Sequence, residues 1–306
     1  MGMAWGIREW YGQSIYDMSA NERLAAANDA LSGTRATDVG RMCPFVQTIT
    51  PGAPCNKEGG VCSISDYTGE NDVPAAVCPN RLLARDGLGM DCFDVLAHDC
   101  FELGPQEKYA LVKEVPFLKK VDATGQDRGA SAGRIDWVLV TQPGNAHRSD
   151  WLAVETQAVY FSGASMNDDF KAYQKDPSRL HVTTKNRRPD WRSSGAKRLS
   201  PQLDDKSPVM RRWGKKVAVV VDRGFYNEFS AFENTDVDFD NAEVVWVVID
   251  YDVDMGVRIK VERYAELEES RKAISGTRPV NKREFENDLR GHVRDKSEKV
   301  RLRRLP

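Results

Sequence analysis

The sequence predicts an α/β fold of the α+β kind, built on a mixed sheet. Apolar, β-branched runs recur at RIDWVLV, WLAVETQAVYF, KVAVVVD, EVVWVVIDYD and VRIKVE, stretches with helical spacing lie between and before them, and no internal repeat or heptad appears. At 306 residues the chain exceeds the size one hydrophobic core comfortably serves, so an appended module is expected. A hydrophobic fraction of 41% and a charged fraction of 29% exclude disordered and fibrous classes. No run approaches the ~18 apolar residues of a membrane span, and the opening MGMAWGIREWYG has no targeting pattern, so a cytoplasmic protein is expected.

In chain order, residues 1–90 are rich in Gly, Pro and polar residues, with a helix over NERLAAANDAL and little strand pattern after it. Helices are then predicted over MDCFDVLAHDCFEL and QEKYALVKEVPFLKKV, followed by RIDWVLV and WLAVETQAVYF as strands joined through TQPGNAHRSD. A helix over MNDDFKAYQKD precedes a basic tract at 179–216 that reads as loop-rich. Three strands follow at 216–222, 243–252 and 257–262, with a helical GFYNEFSAF after the first. The tail is charged and helical, broken near Gly276 and Pro279. The expected division is 1–90, 91–262 and 263–306.

Four of the six cysteines, Cys43, Cys55, Cys62 and Cys78, crowd into the Gly- and Pro-rich amino-terminal region. Disulfides rarely persist in a reducing cytosol, so a metal is the better account of clustered thiols where so little core is available. Zinc and iron both accept four sulfur ligands, and either would tie such a module together. Cys92 and Cys100 lie eight apart on one predicted helix and read as small core residues.

Within WLAVETQAVYF, Glu155 and Gln157 share one face of a strand whose other side carries Leu152, Val154 and Thr156. Asp136 interrupts the preceding strand in the same manner. If these strands pair, the two carboxylates meet in a half-buried place and repel each other unless a cation or proton lies between them. A hard divalent ion such as magnesium resolves that conflict.

This helix, strand with Asp, strand with Glu-x-Gln layout resembles the PD-(D/E)XK nuclease core, with Asp136 as the first acid, Glu155 as the second and Gln157 in place of the usual lysine; residue 135 is isoleucine where that motif has proline. The ordered series MCPF, Cys55, GVC and VCPNR, followed by IDWVLV and AVETQ, is similar to the NotI-type restriction endonucleases, and IREWYG resembles that family's amino-terminal segment. The resemblance runs through most of residues 5–232. It implies a PD-(D/E)XK core with an amino-terminal four-cysteine metal-binding module whose ligands to a structural iron are Cys43, Cys55, Cys62 and Cys78. It also implies a bacterial type II endonuclease cutting a GC-rich palindrome with a CGGCCG core, and a separate DNA methyltransferase in the same cell. A further acid upstream is common in such nucleases, with Glu114 and Asp122 as candidates.

On this reading Asp136, Glu155 and the Thr156 carbonyl hold catalytic magnesium, while Gln157 orients water or phosphate without titrating. The net charge of -2 conceals a basic stretch in which Arg187, Arg188, Arg192, Lys197, Arg198, Arg211, Arg212, Lys215 and Lys216 are candidates for contacting double-stranded DNA. One active site per subunit acting on a two-fold site implies a homodimer. Two rival readings are a repair nuclease of the same core with loose sequence choice, and a metal-stabilised DNA-binding protein that does not cut.

Overall fold

A computed structural model describes residues 4–32, 40–68, 73–142, 150–163, 165–184, 187–230, 232, 237–276, 280–295 and 301. The elements in chain order begin with β1 (Trp5–Trp10), β2 (Gln13–Ser14), α1 (Ala20–Leu31), β3 (Val61–Asp66), β4 (Ala75–Ala76), α2 (Cys92–Phe101), β5 (Tyr109–Val121) and β6 (Asp127–Thr141). They continue through β7 (Trp151–Thr156), β8 (Tyr160–Phe161), α3 (Asn167–Lys175), β9 (Pro189–Asp190), α4 (Trp191–Ser194), α5 (Ser200–Arg212), β10 (Val217–Asp222) and α6 (Arg223–Asn227). The last four are β11 (Val244–Tyr251), β12 (Val257–Ala265), α7 (Leu267–Ser275) and α8 (Lys282–Arg294).

The central sheet has the order β12-β11-β10-β7-β6-β5. Strand β10 runs parallel to both β7 and β11, and the outer pairs are antiparallel, so the sheet is mixed as predicted. Alternation along the strands splits the core in two. Leu152, Val154, Ala218, Val220, Val245 and Val247 face α2, together with Cys92, Phe93 and Leu96. Ala153, Val217, Val219, Val221, Trp246 and Val248 face the other way, onto Leu199, Leu203 and Met210. Those three residues come from α5 and the single π-helical turn Gly195–Leu199 that leads into it.

Helix starts follow ordinary capping chemistry. Ser19 with Glu22 and Asp91 with Asp94 both form capping boxes, which satisfy the amide groups that a first helical turn leaves unpaired. Asp222 closes β10 and opens α6: its side chain accepts from the Phe225 amide at 2.7 Å and from the Ala76 amide at 2.7 Å.

Two predicted elements differ. QEKYALVKEVPFLKKV forms strand β5, because its partner is β6 over almost its whole length and no residue of it is buried, which leaves no period-two signal to read. The basic tract is largely helical from Trp191 to Arg212 instead of loop-rich.

The amino-terminal region, expected to contain little strand, builds a four-stranded sheet in the order β2-β1-β3-β4 over α1 and α3. It does not break from the rest at residue 90: one compact unit spans Met1–Ser275, and Gly276–Pro306 forms a second. A buried ion pair reinforces the join. Arg81 Nε donates to Glu9 Oε2 at 2.6 Å, Ser63 Oγ donates to the same oxygen at 2.5 Å, and the Arg81 guanidinium stacks 4.3 Å from the Tyr251 ring centre. The second unit contains α8, whose residues are nowhere buried. No helix among the described residues is long and apolar enough to cross a membrane.

Candidate active site

Strand β6 pairs antiparallel with β7 through Trp137↔Val154, which sets Asp136 across from Glu155 one step further along. The juxtaposition predicted from the two interrupted strands is present. Glu155 Oε1 accepts from the Asp136 amide at 3.3 Å, and Asp136 Oδ2 accepts from the Thr156 amide at 3.0 Å and from its hydroxyl at 3.2 Å. Each acid is thus anchored by the backbone of the other's strand.

Glu155 is only 1% exposed. Burial first, and the neighbouring Asp136 charge second, push its carboxyl up to about 7. Lys206 is the chief group opposing that shift, with the Asp136 amide adding to it: Lys206 Nζ lies 2.5 Å from Glu155 Oε2, and the lysine is itself 6% exposed. Lys206 sits on α5, on the face of the sheet that strand alternation assigns to Glu155. Sequence reasoning passed over it as one more cation of the basic tract. Its signal was positional: Leu199, Leu203, Lys206 and Met210 follow the spacing of a buried helical stripe, with a lysine where an apolar residue is due.

Gln157 follows β7, its amide donating to Val220 O at 3.0 Å and its side-chain Nε2 to Ala158 O at 2.7 Å. It lines a cleft of about 570 Å³ whose walls also include Lys57, Glu58, Tyr160 and Arg198. Of the two upstream acids, Glu114 lies on β5 in register with Asp136, flanked by the pairs Lys113↔Trp137 and Val115↔Ile135, whereas Asp122 stands apart in the β5–β6 turn. Glu114 pairs with Arg134 at 3.2 Å on the surface, and Asp122 caps a turn by accepting from Thr124 and Gln126.

A scan against protein families matches residues 27–264 to the family described as Restriction endonuclease NotI. The chain belongs to the NotI restriction endonuclease family. The match takes in all four amino-terminal cysteines, the Asp136–Glu155 pair and Lys206. Comparison with curated proteins returns no match. As a NotI-family enzyme the protein is a site-specific deoxyribonuclease that acts on DNA.

In this NotI-family chain Cys43, Cys55, Cys62 and Cys78 are all buried and free of disulfides. Burial pushes the thiols of Cys55, Cys62 and Cys78 up, and their mutual charges add to it: Cys43 acts on Cys55 and Cys78, and Cys78 acts on Cys62. The sulfurs take local partners, with Cys62 Sγ 3.5 Å from Gly60 O and Asn80 Nδ2 3.6 Å from Cys43 Sγ. Among the described residues, no three or more His, Cys, Asp or Glu side chains stand as a metal-holding group. The donor set, four buried cysteines whose charges act on one another, fits a thiophilic metal in kind and in neighbourhood. Cys92 and Cys100 are buried core residues, in agreement with their helical spacing.

The basic candidates of the NotI-family enzyme divide. Arg188, Arg192, Lys197, Arg198, Arg211 and Arg212 are exposed, with Arg198 stacked 4.5 Å from the Tyr160 ring centre and Arg211 3.0 Å from Glu243. Lys215 pairs with Asp150, and Lys216 donates to the carbonyls of Asp240 and Ala242. Arg187 departs from the expected phosphate role: it is 4% exposed, 3.4 Å from Asp169, and donates to Ser165 O. Trp191 packs among the core residues under the sheet, and Trp213 stays half exposed against Trp151.

Proposed function

We propose that this enzyme is a PD-(D/E)XK type II endonuclease that hydrolyses both strands of a GC-rich palindromic site by metal-activated water. The single observation that supports this most is Asp136 held against a buried Glu155 whose carboxyl is pushed up to about 7, because two carboxylates brought that close repel each other and a divalent cation between them relieves the repulsion. Magnesium held by Asp136, Glu155 and the Thr156 carbonyl would polarise a phosphate oxygen and acidify a water.

The chain's own residues do the rest. Thr156 fixes Asp136 through two hydrogen bonds to one oxygen, leaving the other oxygen for a ligand. The Asp136 amide fixes Glu155 in turn. Lys206 partly neutralises Glu155, which favours the ionised form that binds cations, and brings a charged donor to a site where position 157 supplies only a neutral amide. Gln157 neither gives up nor takes up a proton, so its part is orientation, at the edge of the cleft.

Cys43, Cys55, Cys62 and Cys78 would hold a structural iron, with zinc as the alternative; their common burial and mutual electrostatic influence support that role. Two copies of the chain would address the two strands of a palindrome. Incubating plasmid with protein and magnesium tests the reading. Discrete fragments agree with it, smearing points to a repair nuclease, and retention without scission points to a binding protein.

A further inference from the structure

Strand β7 accompanies β6 only from Trp137 to Val140, whereas β5 accompanies it from Thr141 out to Asp127. Beyond the Asp136–Glu155 pair, therefore, Val115–Val121 and Asp127–Ile135 are paired as strands, among the described residues, only with each other. Among the described residues, no position from Tyr109 to Val121 or from Asp127 to Arg134 is buried. This is a two-stranded arm that leaves the sheet immediately next to the catalytic acid. Its seven β5 residues at ~3.3 Å each give it a reach of roughly 23 Å.

The arm is built to keep its shape. Three register shifts fall between Pro116 and Val121, and bulges of that kind bend and coil a ribbon. Gly133 lies under Phe117, where an added Cβ would come within 2.8 Å of the ring, so the ribbon is packed closely at its root. Cross-strand pairs join Lys119 to Asp127 at 2.7 Å and Arg134 to Glu114 at 3.2 Å. At the tip, Asp122 accepts from the amides of Thr124 and Gln126, and Gly125 supplies the positive φ the turn requires.

Charge favours a polyanion. The arm and its turn carry Lys119, Lys120, Arg128 and Arg134 against Asp122 and Asp127, and Lys120 and Arg128 are exposed near its outer end. The B-DNA major groove, about 12 Å wide, admits a two-stranded ribbon, and 23 Å covers roughly two thirds of a helical turn of about 34 Å. A phosphate engaged at Asp136 and Glu155 places a duplex alongside the root of the arm.

We propose that the β5–β6 arm lies in the major groove of the substrate duplex next to the cleaved phosphate, with Lys120 and Arg128 contacting the backbone; this rests on the nuclease reading above. The outer residues of this arm lie outside the basic tract that the sequence nominated.

The test uses the full chain, calcium in place of magnesium, and a fluorescein-labelled 40-base-pair GC-rich duplex. Lys120→Gln with Arg128→Gln should weaken binding at least tenfold at moderate salt, and should flatten the dependence of log K on log salt by about two, from ~0.9 per lost phosphate contact. All six native cysteines are buried, so Ala123→Cys carries a photo-crosslinker selectively at the tip. It should crosslink to the duplex, suppressed by methyl green in the major groove and untouched by distamycin in the minor groove. Unchanged affinity and slope, or no crosslink, in a protein that still cuts plasmid overturns the arm's role alone. A wild-type chain that neither binds nor cuts DNA overturns the nuclease reading with it. A double variant whose sedimenting mass halves overturns the proposal in favour of a contact between copies.

Discussion

Replacing Lys206 by methionine removes the ammonium 2.5 Å from Glu155 Oε2 while keeping an unbranched apolar stem in the stripe of Leu199, Leu203 and Met210. Breaking a buried ion pair from one side costs about 3–5 kcal/mol when the remaining charge stays ionised. Glu155 has an escape, because it can take up a proton. Its carboxyl already sits at about 7 with Lys206 holding it down, so in the variant it moves higher still. At pH 6 Glu155 is then neutral in both proteins and the deficit is small. Above pH 7 the wild-type carboxylate keeps its partner, whereas the variant either buries a lone charge or holds its proton at a cost of about 1.4 kcal/mol per pH unit. Between pH 7 and 9 the deficit should grow by up to about 3 kcal/mol. At ~2–4 °C per kcal/mol this is about 6–12 °C in melting temperature. Urea denaturation at pH 6, 7.5 and 9 with chelator present measures it. A deficit independent of pH would show that the lysine contributes packing alone, and no deficit at pH 9 would refute the pairing.

Glu155→Ala should abolish cleavage while binding of DNA survives, which gel shift and plasmid digestion read together; full activity would remove Glu155 from the reaction. Because the Glu155 pKa is raised in the fold from 4.5 to about 7, its contribution to stability is fully present below pH 4.5 and is lost as pH rises through 7; Glu155→Gln should flatten that slope in melts from pH 4.5 to 8. Glu9→Gln should cost about 3–5 kcal/mol in chemical denaturation, since it leaves the buried Arg81 guanidinium without its charged partner. Elemental analysis of purified protein should find about one iron per chain, the count for one four-thiolate shell, and a folded metal-free protein would remove that role.

What the sequence disclosed follows from what each signal measures. The strands of the central sheet were legible because β10 and β11 are buried on both faces and so read as unbroken apolar runs. Asp136 and Glu155 stood out against such a background, since an acid in a buried strand has few uses. Strand β5 was hidden because its core contacts are partial and its burial does not alternate: Tyr109, Leu111, Val115 and Phe117 are half-buried against the core, and no residue of it is fully buried. Lys206 was hidden for the opposite reason. Counting charges places it with the exposed cations of its tract, and only the apolar residues three and four positions away reveal that it points inward. The amino-terminal sheet was missed because β2 and β4 are only two residues each, and β1 interrupts its apolar run with Arg8 and Glu9, the latter held by Arg81.

The π-helical turn at Gly195–Leu199 gives the site an unusual dependence on winding. Such a turn holds one residue more than the α-helix around it, and each residue of an α-helix advances the azimuth by about 100°. Deleting the exposed Ala196 would return the turn to plain α-winding with its flanks nearly in register, whereas deleting the exposed Asp205 from α5 would turn Lys206 about 100° relative to Leu199 and Leu203. The turn thus has one residue to spare, and α5 beyond it has none if Lys206 is to stay against Glu155.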